Sequence, residues 1–198
     1  MKKILPLIFA LLCIHAGFVR ANTPVNTVHT GPGKEIDLPA FTSLSIKGGG
    51  TYYIHYSRSS KIEIKGAGRC LDEVEATVSY RELSIGPAEN ATGNCPIEVH
   101  IYTSALSSIQ QKGGGSISIM KGFPPVESFK CSLKGGGDMN LSALRIGSLH
   151  AAIKGGGQVM ATVEKSLHGE IKGGGRLYYQ GDPAVKKEIS GGGTIESR

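Results

Sequence analysis

Residues 148–159 read Ser-Leu-His-Ala-Ala-Ile-Lys-Gly-Gly-Gly-Gln-Val, and variants of this stretch recur along the chain. Triple glycines begin at Gly48, Gly113, Gly135, Gly155, Gly173 and Gly191, and all but the last follow a lysine. The last five triplets begin 22, 20, 18 and 18 residues apart. A recurring spacing of about 20 residues is typical of stacked repeat architectures. The glycine triplets therefore predict a solenoid.

Apolar residues alternate with polar ones on both sides of each triplet. Two residues before the first glycine stand Ile46, Gln111, Leu133, Ile153, Ile171 and Ile189. Two residues after the third glycine stand Tyr52, Ile117, Met139, Val159, Leu177 and Ile195, and two further on stand Ile54, Ile119, Leu141, Ala161, Tyr179 and Ser197. A period of two indicates strands with one buried face.

The same parity places the first and third glycines of each triplet inward and the middle glycine outward. The inward set is Gly48, Gly50, Gly113, Gly115, Gly135, Gly137, Gly155, Gly157, Gly173, Gly175, Gly191 and Gly193. Because glycine has no β-carbon, neighbouring backbones can approach closely at these positions. This would explain its use although each glycine inside a strand lowers stability by about 0.5–1 kcal/mol relative to alanine. A plain flexible turn is the alternative.

The predicted fold class is all-β, a single-domain parallel β-helix (β-solenoid) with 18–22-residue rungs. We expect a right-handed coil, because a left-handed one built from hexapeptides needs a period of six that the 22- and 20-residue spacings break. The least repetitive segment, between Cys70 and Cys95, contains Pro87, Asn90 and Gly93 and is interpreted as a hairpin-like extension near the N-terminus.

Residues 1–21 have the features of a secretory signal: Lys2 and Lys3, an apolar run, and a small-residue cleavage site ending at Ala21. A membrane anchor is the alternative, but the run is short for a span and contains Pro6. We therefore predict a signal peptide at 1–21, a linker at 22–33 and one domain at 34–198. The protein is expected in the periplasm, secreted, or on the cell surface of a Gram-negative bacterium, without a transmembrane segment in the mature chain.

The charge of the chain is more informative in its distribution than in its total. The formal net charge of +6 falls to about +3 without Lys2, Lys3 and Arg20, which is too little to indicate nucleic-acid binding. One repeat position, however, holds five lysines: Lys47, Lys112, Lys134, Lys154 and Lys172. On stacked rungs they would form an outward column, flanked by glycine N–H groups, that could bind phosphate, sulfate or carboxylate groups. The alternative is a solvated face that keeps the sheet soluble.

Three cysteines follow the signal. Cys70 and Cys95 are predicted to form a disulfide in an oxidising compartment, and Cys131 shares the inward parity of Leu133 and is predicted to be a buried thiol. His150 and His168 occupy one repeat position and should stack, but the pattern supplies no third ligand, so no metal site and no cofactor are predicted. The acidic residues share no repeat column and no nucleophile motif is present, so an enzyme is not predicted.

The order of motifs resembles the GIN-domain family, the head domains of auto-transporter adhesins. The resemblance begins at Phe41-Thr42-Ser43-Leu44-Ser45-Ile46-Lys47-Gly48-Gly49-Gly50, continues through residues 61–66, 81–85 and 97–109, and ends at Tyr179-Gln180-Gly181-Asp182-Pro183. It covers roughly residues 34–198. It implies a right-handed β-helical, exported domain with an adhesive role, and it carries over no catalytic residue.

Two functions follow as hypotheses. The first is a non-catalytic, adhesin-like protein that binds a polyanionic glycan or lipopolysaccharide through the lysine column and outward aromatics such as Tyr53 and Tyr178. The second is a structural module of the cell envelope that assembles as a homo-oligomer. The first predicts binding that weakens with salt, and the second predicts a molecular mass that rises with concentration.

Overall fold

The computed structural model describes residues 27–29, 33–89, 91 and 96–198, which form sixteen strands and one short helix. The strands are β1 (Thr27–His29), β2 (Gly33–Asp37), β3 (Ser43–Lys47), β4 (Thr51–Tyr56), β5 (Lys61–Gly66), β6 (Val74–Ser79), β7 (Glu82–Pro87), β8 (Ile97–Thr103), β9 (Ser108–Lys112), β10 (Ser116–Ile119), β11 (Val126–Gly135), β12 (Asp138–Gly155), β13 (Gln158–Lys172), β14 (Arg176–Gln180), β15 (Ala184–Ser190) and β16 (Thr194–Ser197). The helix is α1 (Gly68–Asp72). The predicted signal peptide lies outside the described residues.

Each glycine triplet is a corner between two parallel walls. The upstream wall is formed by the strands that precede the triplets and has the order β7, β3, β9, β11, β12, β13 and β15. The downstream wall is formed by the strands that follow the triplets and has the order β8, β4, β10, β12, β13, β14 and β16. Strands β12 and β13 belong to both walls, because each runs from the downstream wall of one rung into the upstream wall of the next. The predicted parallel β-solenoid is confirmed.

The alternating pattern predicts the core correctly in nearly every rung. All six residues two positions after the triplets are at most 3% exposed, and five of the six residues two positions before them are at most 1% exposed. The exception before the triplets is Ile189, which is 44% exposed because β15 is the outermost described strand of its wall. At the third inward position, Ser197 of the last rung is exposed.

The middle glycine of every triplet is exposed, as its parity predicts, but of the predicted inward glycines only Gly137, Gly157 and Gly175 are buried, whereas Gly48, Gly115 and Gly191 are exposed. The first glycine of every triplet has a positive φ, from 97° at Gly48 to 128° at Gly135, a conformation that residues with a β-carbon rarely adopt. In the last three triplets the third glycine lies against an apolar side chain of the preceding rung: a β-carbon on Gly157 would meet Leu133, one on Gly175 would meet Ile153, and one on Gly193 would meet Ile171. A β-carbon on Gly137 would meet the polar side chain of Gln111. A β-carbon on any middle glycine would meet nothing within 4 Å. The triplets are therefore close-packed corners with an open outer ridge, and the plain flexible turn is excluded.

The segment between the first and second rungs covers the N-terminal edges of both walls. Strand β5 pairs antiparallel with β8 and with β2, and β1 pairs with β2, so residues 27–29 of the predicted linker form a strand. Strand β6 pairs antiparallel with β7. The hairpin interpretation of residues 70–95 is correct for β6 and β7, which are joined by a turn at Tyr80 and Arg81, with φ of 48° and 62°. Asn90 and Gly93 lie outside the described residues. Helix α1 was not predicted.

Candidate binding surfaces

The five lysines of the repeat position form one continuous column on the upstream wall. Strand register pairs Lys47 with Lys112, Lys112 with Lys134, Lys134 with Lys154, and Lys154 with Lys172. All five side chains are exposed. Within the described part of the chain, none of the five takes part in an ion pair. The column is therefore an uncompensated line of positive charge with a spacing of about 4.8 Å per rung.

Several glycine N–H groups beside the column are already used by the solenoid. Gly48 N donates to the carbonyl oxygen of Lys112 at 2.9 Å, and Gly113 N donates to that of Lys134 at 2.8 Å. Gly156 and Gly157 N both donate to the carbonyl oxygen of Gly135 at 3.1 Å. Because these amides complete the ladder between rungs, they cannot also bind an anion. The expected contribution of glycine amides is therefore wrong for these four positions, and for the outward glycines Gly49, Gly114, Gly136 and Gly174 it stays a prediction.

The two outward tyrosines singled out in the sequence lie on the other wall. Tyr53 and Tyr178 occupy one column of the downstream wall, separated by Ser118, Asn140 and Met160 on the intervening strands. The guanidinium carbon of Arg198 lies 3.8 Å from the centroid of the Tyr178 ring, so one face of that ring is covered. The tyrosines and the lysine column therefore flank the glycine ridge on opposite sides and do not form a single flat strip.

Tyr53 belongs to an aromatic stack that sequence reasoning missed. Its ring stacks on His100 at a centroid distance of 5.2 Å, His100 stacks on His55 at 5.2 Å, and His55 stacks on Tyr102 at 4.8 Å. His55 Nε2 and His100 Nδ1 lie 2.9 Å apart, a hydrogen bond whose direction depends on the tautomer. The stack joins β4 and β8, which are about 45 residues apart in the chain, so no local pattern signals it.

Charged side chains surround this stack. Lys61 lies 2.8 Å from Glu63 and 3.1 Å from Glu35, and its hydrogen bond to Glu63 is the largest cause that raises the Lys61 pKa above its usual value. Burial, followed by repulsion from His100, lowers the pKa of His55, which favours a neutral imidazole at physiological pH. Opposite charges are paired here, so this surface lacks the uncompensated charge of the lysine column.

A third cluster lies on the upstream wall beside the lysine column. His150 pairs in register with His168, as the repeat predicts, and their rings meet edge to face at a centroid distance of 4.8 Å. Glu170 Oε1 lies 3.4 Å from His150 Nε2 and 4.0 Å from His168 Nε2. The structure thus adds a third candidate metal ligand to the pair. Glu170 is two residues after His168 and therefore faces the same side of β13, a relationship that a comparison down single repeat columns overlooks.

The cysteines are placed as follows. Cys131 is a fully buried free thiol, as predicted, and burial raises its pKa to about 12. Cys70 is buried in α1, whereas Cys95 lies outside the described residues, so their pairing stays a prediction.

No helix among the described residues is long and apolar enough to cross a membrane. No curated protein matches the chain in sequence. Two similar solved structures are a putative adhesin from Bacteroides fragilis NCTC 9343 and a putative lipid binding protein from Parabacteroides distasonis ATCC 8503. The first is 17% identical, covers 84% of this chain and 96% of its own, and has a TM-score of 0.56. The second is 16% identical, covers 89% of this chain and 98% of its own, and has a TM-score of 0.50. At these identities the likeness establishes the fold.

A family model assigns the sequence more directly. The model for the putative auto-transporter adhesin head GIN domain matches residues 40–124 and 116–183, which together span most of the solenoid. The matched region contains five of the glycine corners and the whole lysine column. The chain therefore belongs to the family of auto-transporter adhesin head GIN domains.

Proposed function

We propose that the protein is an exported, non-catalytic binding domain that engages an acidic polymer of the cell envelope or of a host surface through the lysine column. The observation that carries the proposal is the register of Lys47, Lys112, Lys134, Lys154 and Lys172 on five consecutive rungs, all exposed and without an ion pair to any described residue. The family, named for adhesin heads, supports a binding role.

The column has an electrostatic cost that a bound polyanion would remove. Two unit charges one rung apart repel by about 0.9 kcal/mol even at the dielectric constant of water. Four such steps span roughly 19 Å, a length that suits several sulfate, phosphate or carboxylate groups along one polymer. A solenoid that merely needed a soluble surface would gain more from alternating charges, because opposite neighbours attract while like neighbours repel.

The ridge beside the column gives an extended ligand room to approach. A β-carbon on Gly114, Gly136, Gly156 or Gly174 would meet no atom within 4 Å. These middle glycines leave a line of bare backbone parallel to the lysines. Since no side chain projects from the ridge, a polymer with bulky sugar units can lie along it while its acidic groups contact the ammonium groups. Acidic glycans and lipopolysaccharide both have this character.

The test compares two fourfold variants. The first replaces Lys112, Lys134, Lys154 and Lys172 by Gln, and the control replaces Lys121, Lys130, Lys165 and Lys186, which are exposed but outside the column. Both variants lose the same formal charge. Binding of the purified protein to heparin and to lipopolysaccharide is measured at low and moderate salt. We expect at least a tenfold loss of affinity and a shallower salt dependence in the first variant alone. Equal losses in both variants, or no loss in the first, would overturn the proposal.

A second candidate function is self-assembly, and the exposure of Ile189 favours it. This residue is the only one of its repeat column that is not buried, and β15, which holds it, has no strand partner on its outer side among the described residues. A second copy pairing there would cover it. Sedimentation of the protein and of Ile189→Lys over a range of concentrations decides the point. A mass that rises with concentration only in the unmodified protein would support assembly, and a constant monomer mass would exclude it.

A further inference from the structure

Beside the lysine column, the outer surface of the upstream wall carries two histidines and two glutamates. His150 and His168 lie opposite each other on β12 and β13, and Glu170 and Glu188 lie opposite each other on β13 and β15. The sequence interpretation that no two acidic residues share a repeat column is therefore wrong for Glu170 and Glu188. Glu170 comes two residues after His168 on β13, so both side chains project from the same side of the strand. His150 and Glu188 are their partners in register on the adjacent strands, so all four side chains project from one side of the wall. Their backbones are held by the ladder of parallel strands.

We propose that His150, His168 and Glu170 bind a divalent first-row transition ion such as Zn²⁺. One ligand atom from each of the three lies within 4.8 Å of the other two. The nearest pair, His150 Nε2 and Glu170 Oε1, is 3.4 Å apart, and His168 Nε2 is 4.0 Å from the same oxygen. In a tetrahedral zinc site with bonds of about 2.0–2.1 Å, ligand atoms lie roughly 3.3–3.4 Å apart. Side-chain rotations that bring the three ligand atoms from within 4.8 Å of one another to that spacing would close the site.

The types of ligand select the class of ion. Imidazole nitrogen with carboxylate oxygen suits Zn²⁺, Cu²⁺, Ni²⁺ and Co²⁺, whereas Ca²⁺ and Mg²⁺ prefer ligand sets made of oxygen atoms. The free thiol of Cys131 is buried and faces the core, so it cannot contribute. Among the described residues this is the only group of three or more side chains close enough to hold an ion.

Glu188 lies where it can influence the fourth position. Its Oε1 is 3.2 Å from His168 Nε2 and 2.8 Å from Lys186 Nζ. Glu188 can ligate the ion directly or accept a hydrogen bond from a metal-bound water. In the second case one coordination position stays open to a donor atom from outside the protein.

The geometry also explains how a surface site can be preorganised. Two of the three ligands belong to one strand, at positions 168 and 170, and the third comes from the adjacent strand in register. The strand register fixes the three β-carbons, so only side-chain rotations remain to be ordered on binding. The side chains are 41%, 32% and 32% exposed for His150, His168 and Glu170, so an ion can reach them from solvent.

The first measurement is a calorimetric titration of the metal-free protein with zinc chloride. We expect one ion per chain, and at least a tenfold weaker affinity in each of His150→Gln, His168→Gln and Glu170→Gln. The matched control is His55→Gln, which removes one member of the other stacked histidine pair and should leave zinc binding unchanged. Zinc binding that persists in the double variant His150→Gln/His168→Gln, or that falls equally in His55→Gln, would overturn the proposal.

A second measurement uses the unmodified protein and is therefore independent of any effect of substitution on folding. Co²⁺ added in small amounts should broaden the ring-proton NMR signals of His150 and His168 before those of His55 and His100. The reverse order would overturn the site. The fourfold lysine-to-glutamine variant of the column should bind zinc as the unmodified protein does, so failure of polyanion binding and failure of the metal site are separate outcomes.

Discussion

A β-carbon added to Gly113 would lie 2.7 Å from the carbonyl oxygen of Gly48, one rung earlier in the solenoid. A β-carbon does not approach a carbonyl oxygen of another residue so closely unless the backbone is displaced. Gly113 also has a φ of 125°, which L-residues with a side chain rarely adopt. The adjacent Gly114 has neither constraint, because a β-carbon there would meet no atom within 4 Å. The first position of this triplet therefore requires glycine, whereas the middle position has room for a side chain.

We expect Gly113→Ala to lower the free energy of unfolding by about 3 kcal/mol, through backbone strain and the displacement of an adjacent rung. The matched substitution Gly114→Ala should stay within about 1 kcal/mol of the unmodified protein, because only the entropy of the unfolded chain changes. Denaturant unfolding of both variants measures the difference. Equal stabilities would mean that the corner does not need glycine at its first position.

Gln111 occupies a position that is apolar in the other rungs. Its side chain is fully buried, and Nε2 donates to the carbonyl oxygens of Gly114 at 2.9 Å and Gly115 at 3.2 Å. Oε1 is buried without a hydrogen-bond partner, which costs about 1–3 kcal/mol. The carbonyl oxygen of Gly115 keeps a second donor, Asp138 N at 2.9 Å, if the amide is removed.

Gln111→Leu should therefore raise the free energy of unfolding by about 1 kcal/mol, since it removes the unpaired oxygen and matches Ile46 and Leu133 on the adjacent strands. Thermal and denaturant unfolding measure the change. Gln111→Ala is the control, because it also removes the oxygen but leaves a cavity, and it should destabilise the protein. A leucine variant less stable than the unmodified protein would show that the two amide hydrogen bonds outweigh the unpaired oxygen.

The buried thiol of Cys131 makes stability depend on alkaline pH. Burial raises its pKa from the ordinary 9.0 to about 12, so the folded protein keeps the proton over a range in which the unfolded chain loses it. The stabilisation is complete below pH 9 and declines as pH rises from 9 towards 12, by up to about 1.4 kcal/mol per pH unit. Unfolding measured between pH 9.5 and 11 should show a smaller decline in Cys131→Ala. Parallel declines in the two proteins would contradict this linkage.

The predicted disulfide between Cys70 and Cys95 can be tested through the unfolded state. In the chain-entropy model a loop of roughly 25 residues contributes about 3–4 kcal/mol. Reductant should therefore lower the free energy of unfolding of protein purified under oxidising conditions, but it should not affect the variant Cys70→Ser/Cys95→Ser. Peptide mapping after alkylation reports the bond directly. Free thiols at both positions without reductant would show that the bond is absent.

Sequence alone predicted most of the fold because every rung of the solenoid imposes the same structural requirements on its residues. Each corner needs backbone without a β-carbon, and each wall needs one apolar face, so both requirements appear in the residue pattern. Ile189 departs from the pattern because burial needs a following rung. The pattern also ends where repetition ends: α1 and the turn at Tyr80 and Arg81 belong to the segment inserted between the first two rungs.

The candidate sites were predicted less completely, since they depend on neighbours across strands. The lysine column follows from the repeat and was predicted. Glu170 beside His150 and His168 depends on a second repeat column, and the stack of His55 and His100 depends on strand pairing over about 45 residues. Hydrogen bonding within the solenoid, which consumes the N–H groups of Gly48 and Gly113, cannot be read from composition. The distances between side chains of different repeat columns can be obtained only from the folded structure.

The stacking of rungs has a mechanical consequence for a domain of an adhesin family. Force applied at Arg198 would pull on β16 and β15 first, and each of them pairs with only one of the other described strands. The rungs would then unfold one after another from the C-terminal end. Each 18-residue repeat would release roughly 60 Å of chain at 3.3–3.6 Å per residue. The first rung would resist longest, because its neighbours β7 and β8 are themselves covered by the antiparallel strands β6 and β5. Under such a load the solenoid would lengthen in successive small extensions before its covered end unfolds.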